Sequence, residues 1–598
     1  YGDHPAFSTA LINTEVRDAS QPSFSPTEVE AYKKFAGMDI PAEAVNRGGV
    51  DWKKLHDFPA DRVITDDHPI LKYYRWFWTV GDGWNALHTA IHKGVKSSAS
   101  RVWTFFDPAV RQPSISGAGG SVDVLSHWTY TYPDPQRIGL CADQLFAMST
   151  ASGRNQRVMK MTQLIWYRSQ TAPVGSRAPG EWVAWEDHDP EAAYITIAPM
   201  HLKEAFWTKI SRPIQGIMYH GWQSLVQTDS PGAYLFTNPY AAPVLKQLLK
   251  EVIEPLGPLL MNLPDERSEV AFLESFTSQM FAHRGGYGSN TGWEADVWLA
   301  LQHAHVQTDI LFEETLLKNG LSGRKVLVMP FCDVLTKSVV TRIAEWQKKG
   351  GKIVADAFLC PALKADFIIQ SFQREKKAEE DKNKVLGLAK ALANFSLPQK
   401  AACDNPEIIL RTRRFGDATY LFAINDHREY GNYVGQHGLV MENGLPSKGI
   451  VSLKVDSANV YELTSTRFIV PKRGDDGVLS WPVELGPCDG RIYLIMPKPL
   501  LGIELSVPEV AKLNHTAKIS ANITTTQNAP TQAIIPVRLD IRDASGNLVE
   551  GSGCYAAENG VLETAINLAP NDESGTWEVR IKELASGMES VRWMKVMK

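Results

Sequence analysis

The feature that most constrains this chain is a change of hydrophobic period part-way along it. Up to about residue 400, short apolar runs alternate with amphipathic stretches, the pattern of βα units in a parallel sheet or barrel. From about Pro406 the period becomes two: IILRTRRF, ATYLFAIND, GIVSLKV, ANVYELT and RIYLIMP read as closely spaced antiparallel strands. A chain of 598 residues with 44% hydrophobic positions is long enough for three or four domains, each with its own core.

The runs FSTALINTE (7–15), SRVWTFFD (100–107), VDVLSHWTYTY (122–132), RVMKMTQLIWY (157–167) and IQGIMYHGW (214–222) give five parallel strands in a first unit, 1–260. A second unit, 261–403, opens at PDERSEVAFLESFTSQMFA and continues through GRKVLVMPFCDVL and GKIVADAF as an open α/β domain. Gly350 and Gly351 stand where a helix stops, and QREKKAEEDKNK (373–384) reads as a solvated helix or insertion. Residues 404–500 form a β-sandwich, and 501–598 a second, Ig-like one, with turn chemistry at ASGNL (544–548) and NDESG (571–575). The fold class is multidomain α/β plus all-β.

A net charge of −5 from 62 basic and 67 acidic residues leaves no basic stripe, which argues against a nucleic-acid partner. No run reaches the about 18 apolar residues of a membrane span. The six cysteines show neither zinc-ligand spacing nor a disulfide framework, so no metal is called for. Tyr1–Asp18 lacks an initiator Met and the apolar core of a leader, and leaves the compartment open.

Eleven of the 17 Trp lie between Trp52 and Trp222. In parallel α/β folds reactive groups gather at the carboxyl ends of strands. That filter selects Glu15, Asp107, His127, Trp128, Tyr130, Tyr132, Gln163, Trp166, His220 and Trp222, with Trp103 on the second strand. Carboxylates and amides beside Trp and Tyr platforms suit sugars, which present hydroxyl edges and apolar faces. Glycosidic hydrolysis takes two carboxyl groups, here Glu15 as acid and Asp107 as partner. The plainer alternatives are that the Trp are core, that Glu15 pairs with Arg17, and that Asp107-Pro108 starts a turn.

ALINTEVRD with FSPTEVEAYKKF, the strand-end aromatics, and the order of barrel, then VAFLESF…LALQHAHVQTDILFEETLL…RKVLVMP…WQKKGGKIV, then sandwich, resemble family 42 glycoside hydrolases over roughly residues 1–500. The resemblance implies a retaining (β/α)8 barrel of the clan A type, an amidotransferase-like α/β domain that helps form a homotrimer, and hydrolysis of β-linked oligo- or polysaccharides, β-galactosides among them, without a cofactor. Glu15 matches the acid/base on the fourth barrel strand, although the family's Asn-Glu pair appears as Asn13-Thr14-Glu15. Where a glutamate nucleophile is expected stands Gln163, and an amide cannot attack an anomeric carbon; either another carboxylate such as Asp107 or Glu186 attacks, or the residue was altered, or the barrel has lost classical retaining activity.

With LINTE as strand four, the preceding strands are missing, so the expectation is the carboxyl-terminal part of a barrel, open at both edges, with FSTALINTE at one and IQGIMYHGW at the other. The final module looks like a bacterial Ig-like accessory domain, which favours a periplasmic or extracellular bacterial setting. Two rivals are a non-catalytic carbohydrate-binding barrel that has lost its nucleophile and a structural subunit. Cys332, in VLVMPFCDVL, lies near the nucleophile position of amidotransferase-like folds but lacks a following His and Glu, and reads as structural.

Overall fold

The structure is a computed structural model. It describes residues 4–13, 22–46, 48–81, 83–107, 113–132, 134–171, 192–228, 232, 234–287, 293–375, 377–435, 438–456, 459–525 and 531–598.

The first unit holds an open parallel sheet. Its strands are β1 (Thr9–Asn13), β2 (Trp103–Phe106), β3 (Val124–Leu125), β4 (Trp128–Thr129) and β5 (Arg157–Gln163). An antiparallel pair follows, β6 (Ile165–Tyr167) with β7 (Tyr194–Thr196), and then β8 (Gly216–His220). β1 pairs with β2, β2 with β3, and β5 takes both β3 and β4 along one side and β8 along the other. β3 and β4 are thus successive pieces of one strand, and β1 and β8 form the two edges. Among the described residues, β1 within FSTALINTE and β8 within IQGIMYHGW therefore occupy the edges of an unclosed sheet.

Alternation sorts β5 into two faces. Val158, Lys160 and Thr162 are buried, with Val158 in a core that includes Phe106, Leu125 and Leu140. Helices α1 (Pro26–Ala36), α2 (Pro69–Thr79), α3 (Asn85–Ser98), α4 (Arg137–Ser152) and α5 (Pro199–Ile210) belong to this unit; α4 and α5 pack on each other, and α4 on β5. Met159 and Met161, on the other face of β5, are only half-buried.

The second unit is a five-stranded parallel sheet of β9 (Val270–Glu274), β10 (Asp309–Phe312), β11 (Val326–Met329), β12 (Lys352–Ala355) and β13 (Phe367–Ile368), in spatial order β10-β9-β11-β12-β13. That is the doubly wound order 2-1-3-4-5. The units interlock. Tyr32, Tyr73, Phe77 and Trp78 pack with Phe276, Met280, Phe281 and Tyr287, and Val63–Ile64 pairs in parallel with Leu335–Thr336. Much of the amino-terminal aromatic cluster therefore packs on the helix Phe276–Phe281 of the second unit.

The charged run at 373–384 departs from the solvated reading. It enters the helix Ala378–Ala393, in which Ala378, Asp381 and Lys382 are buried and Val385, Leu388 and Leu392 join a core with Trp298 and Leu301. Cys332 is fully buried after β11, and burial raises its thiol pKa well above the usual range.

Beyond residue 400 a four-stranded and a five-stranded antiparallel sheet share a core that includes Leu410, Leu421, Trp481 and Tyr493. A hairpin, Arg428–Gly435 with Gly438–Gly444, packs against the turn Arg168–Thr171 that follows β6. Among the described residues the last domain has eight strands in one hydrogen-bonded path, in which Gly553–Glu558 meets Val561–Asn567 only at Glu558–Val561, and Leu500–Ser506 contacts Glu589–Met597. No helix among the described residues is long and apolar enough to cross a membrane.

Candidate functional site

The carboxyl ends of β2, β4, β5 and β8 bring together most of the described candidates. At the tips of β5 and β8, Gln163 and His220 are register partners; one strand away, Trp128 pairs in register with Met161. From His127 a run of ring contacts leads around this end of the sheet. His127 stacks on Trp128 at 6.0 Å, Trp128 meets Tyr130 at 5.8 Å, and Tyr130 meets Tyr167 at 5.6 Å. Tyr167 then meets Tyr194 at 5.0 Å, Tyr194 meets Tyr234 at 5.3 Å, and Tyr234 meets His220 at 5.6 Å. Trp128, Tyr130, Tyr167, Tyr194 and Tyr234 are half-buried and His220 is exposed, so the arc is partly open to solvent. Trp222, two residues beyond β8, is 58% exposed. Burial and a hydrogen bond with Tyr167 keep the Tyr130 phenol protonated far above its usual range.

Asp107 closes β2 and is buried. It lies in the field of Lys160, a fully buried ammonium that donates to the His127 carbonyl and to the Thr129 hydroxyl. Burial pushes Lys160 down to about 8, against the opposing pull of Cys141 and Asp107. Lys209 of α5 is equally buried, donates to Thr162 Oγ1, and places its ammonium 4.8 Å from the Tyr219 ring centre. Burial, then repulsion from Lys160, lowers its pKa well below the usual range. Sequence reasoning missed both lysines. The available signal for Lys160 was its phase: it alternates with Val158 and Thr162 on the covered face of β5.

Three candidates belong elsewhere. Trp103 stands at the amino end of β2, where the Arg157 guanidinium lies 4.2 Å from its ring centre, so it faces away from the carboxyl-end crevice. Trp166 is fully buried, edge-on to Tyr132 at 5.5 Å and to His201 at 4.6 Å, in a core with Leu164, Ile195 and Leu202. Its burial fits the plain core reading, and LIWY is apolar on both faces. Tyr132 is also buried, its hydroxyl donating to Gln170 Oε1. Glu15 and Glu186 lie outside the described residues.

Among the described residues, one group of carboxylates is close enough together to hold a cation: Asp134, Glu204 and Asp426. The Arg428 guanidinium already engages all three, at 3.7 Å from Asp134, 2.7 Å from Glu204 and in direct contact with Asp426. The group is an ion-pair junction between the half-barrel and the sandwich.

No protein-family model and no curated protein matches the chain. Solved structures similar to it include a catalytic mutant of a GH42 beta-galactosidase from G. stearothermophilus, with 11% identity and a TM-score of 0.46, covering 78% of this chain and 75% of that one. Also similar are the cold-adapted beta-galactosidase from Rahnella sp. (12% identity, TM-score 0.46, covering 83% and 79%) and the apo exo-carrageenase GH42 from Bacteroides ovatus (11%, 0.40, covering 79% and 61%). Likeness at this level does not assign the chain to a family.

Proposed function

We propose that the carboxyl end of the half-barrel binds a β-linked carbohydrate, with the aromatic arc as its platform. The observation that carries this reading is the unbroken run of ring contacts from His127 to His220, partly open to solvent, with Trp222 exposed beside it. Rings offer apolar faces for the C–H side of a sugar, while phenols, imidazoles and the Gln163 amide offer hydrogen bonds to its hydroxyls. Calorimetry with β-galacto-oligosaccharides tests it. Trp128→Ala and Trp222→Ala should each weaken binding by about tenfold, in line with the loss of a stacking contact of about 1.4 kcal/mol. Unchanged affinity in both variants would overturn the assignment of the site.

The second reading is hydrolysis of glycoside hydrolase type, with Glu15 as general acid and Asp107 as the second carboxyl. What favours it is Asp107 itself, a buried carboxyl at a strand's carboxyl end in the field of a lysine. Against it stands Gln163, an amide at the tip of β5. Glu15→Gln should lower turnover of substrates with poor leaving groups by about 10²-fold and spare activated aryl glycosides, and Asp107→Asn should abolish turnover on both. No hydrolysis by the parent leaves carbohydrate binding as the function. A homotrimer through the α/β domain belongs to the same reading, and light scattering at micromolar concentration decides it.

A further inference from the structure

The last domain carries a second aromatic feature, remote in sequence from the half-barrel. In the strands Gly575–Glu583 and Glu589–Met597, register places Trp577 opposite Met594 and Glu578 opposite Trp593. Trp577 and Met594 point into the core, at 1% and 0% exposure. By alternation Trp593 points out, and it is 61% exposed, more than Trp222. On its other side Glu578 pairs with Arg542 of Ile534–Arg542, so Trp593, Glu578 and Arg542 form one row across three strands. The next row is Val591, Arg580 and Asp540.

The polar groups of these rows are held by one another. Arg580 pairs with Glu578 at 3.2 Å and with Glu589 at 3.0 Å, Lys582 pairs with Glu589 at 3.1 Å, and Arg538 pairs with Asp540 at 3.0 Å. Exposed pairs of this kind add little to stability. What they do is hold donors and acceptors on the strands beside the indole. The exposed indole offers an uncovered apolar face among charged side chains.

We propose that this outer face is a second carbohydrate-contact surface, with Trp593 as the stacking platform and Glu578, Arg580 and Arg542 as lateral hydrogen-bonding groups. Choosing a sugar over another flat apolar ligand rests on the reading of the half-barrel above. Trp593 supplies a face for the apolar side of one pyranose ring, and the two rows supply both donors and acceptors on the same sheet face. The surface holds the chain on a polymer while the half-barrel engages it elsewhere.

Affinity electrophoresis of the whole chain in native gels containing soluble β-linked galactan is the test, repeated with β-glucan and xylan. The parent should be retarded by at least one polymer. Trp593→Ala should raise the apparent dissociation constant at least tenfold, with an unchanged melting curve, and Trp593→Phe should retain most of the retardation. Trp128→Ala should keep a residual retardation that Trp593→Ala, Trp128→Ala together abolish. Equal retardation of Trp593→Ala and parent overturns the proposal, and if Trp128→Ala alone then abolishes retardation, the half-barrel reading survives without it. A parent that passes all three polymers unretarded overturns both. A parent dimer that Trp593→Ala converts to monomer, with retardation unchanged, marks the face as a protein contact and overturns it as well.

Discussion

Arg428 of the sandwich hairpin donates to Glu204 of the half-barrel helix α5 at 2.7 Å, and both side chains are almost completely buried. They are 224 residues apart. Around them, Asp426 and Asp134 contact the same guanidinium, Lys382 pairs with Asp426 at 3.3 Å and Glu407 at 2.8 Å, and His303 Nε2 lies 3.3 Å from Asp426. Three domains thus meet through charge. Such a network is costly to desolvate, and removing one partner strands the others. Arg428→Met should therefore destabilise the junction by about 3–5 kcal/mol, read as a lower urea midpoint of Trp fluorescence. A midpoint within error of the parent would show that the pair is dispensable.

The pH dependence of stability has an identifiable contributor in Glu314. Burial, with Glu313 beside it, pushes this carboxyl up to about 7, although Arg75 opposes the shift. A folded-state value above the unfolded one means that the folded chain binds the extra proton. The contribution is then complete below about 4.5 and is lost as pH rises through 7. Glu314→Gln cannot titrate, so the stability of the parent relative to this variant should fall by up to about 3 kcal/mol between pH 4.5 and 8. Parallel stability curves for the two proteins would place the titration elsewhere.

How far the sequence revealed this arrangement follows from what local pattern can encode. Strand and helix positions followed from apolar period, and the two open edges followed from counting strands. Period cannot say which sheet a helix covers: PILKYYRWFWT reads as α2, yet its Tyr73, Phe77 and Trp78 serve the second domain. Nor does it separate a platform from a core ring, since Trp128 and Trp166 both sit in aromatic strand ends. The selection of strand-end aromatics took both, and only the packing of Trp166 against Tyr132 and His201 tells them apart. Arg428 and Glu204 were beyond reach because neither position is unusual until the sandwich folds back onto α5.

Cysteine accessibility gives an independent check on the domain cores. Cys332, Cys360 and Cys488 are fully buried, whereas Cys141, Cys403 and Cys554 are half-buried. Burial also raises Cys488 out of the reactive range, with Glu204 adding to the shift. Brief native alkylation with iodoacetamide at pH 8 should modify the second set before the first, as read by peptide mass spectrometry. Early modification of Cys332 would contradict its structural role after β11.

The sharpest contrast lies between two tryptophans 56 positions apart. Trp166 fills a core against Tyr132 and His201, so Trp166→Ala leaves a cavity and should cost about 3–5 kcal/mol. Trp222, mostly exposed, packs against little, so Trp222→Ala should change stability by less than about 0.5 kcal/mol. If the arc binds sugar, the ranking reverses for affinity: Trp222→Ala loses binding while folded, and any loss in Trp166→Ala tracks its unfolding. Urea titration and calorimetry on the same two variants separate the roles. A destabilised Trp222→Ala with normal affinity would mean that the exposed ring is structural and that the platform ends at His220.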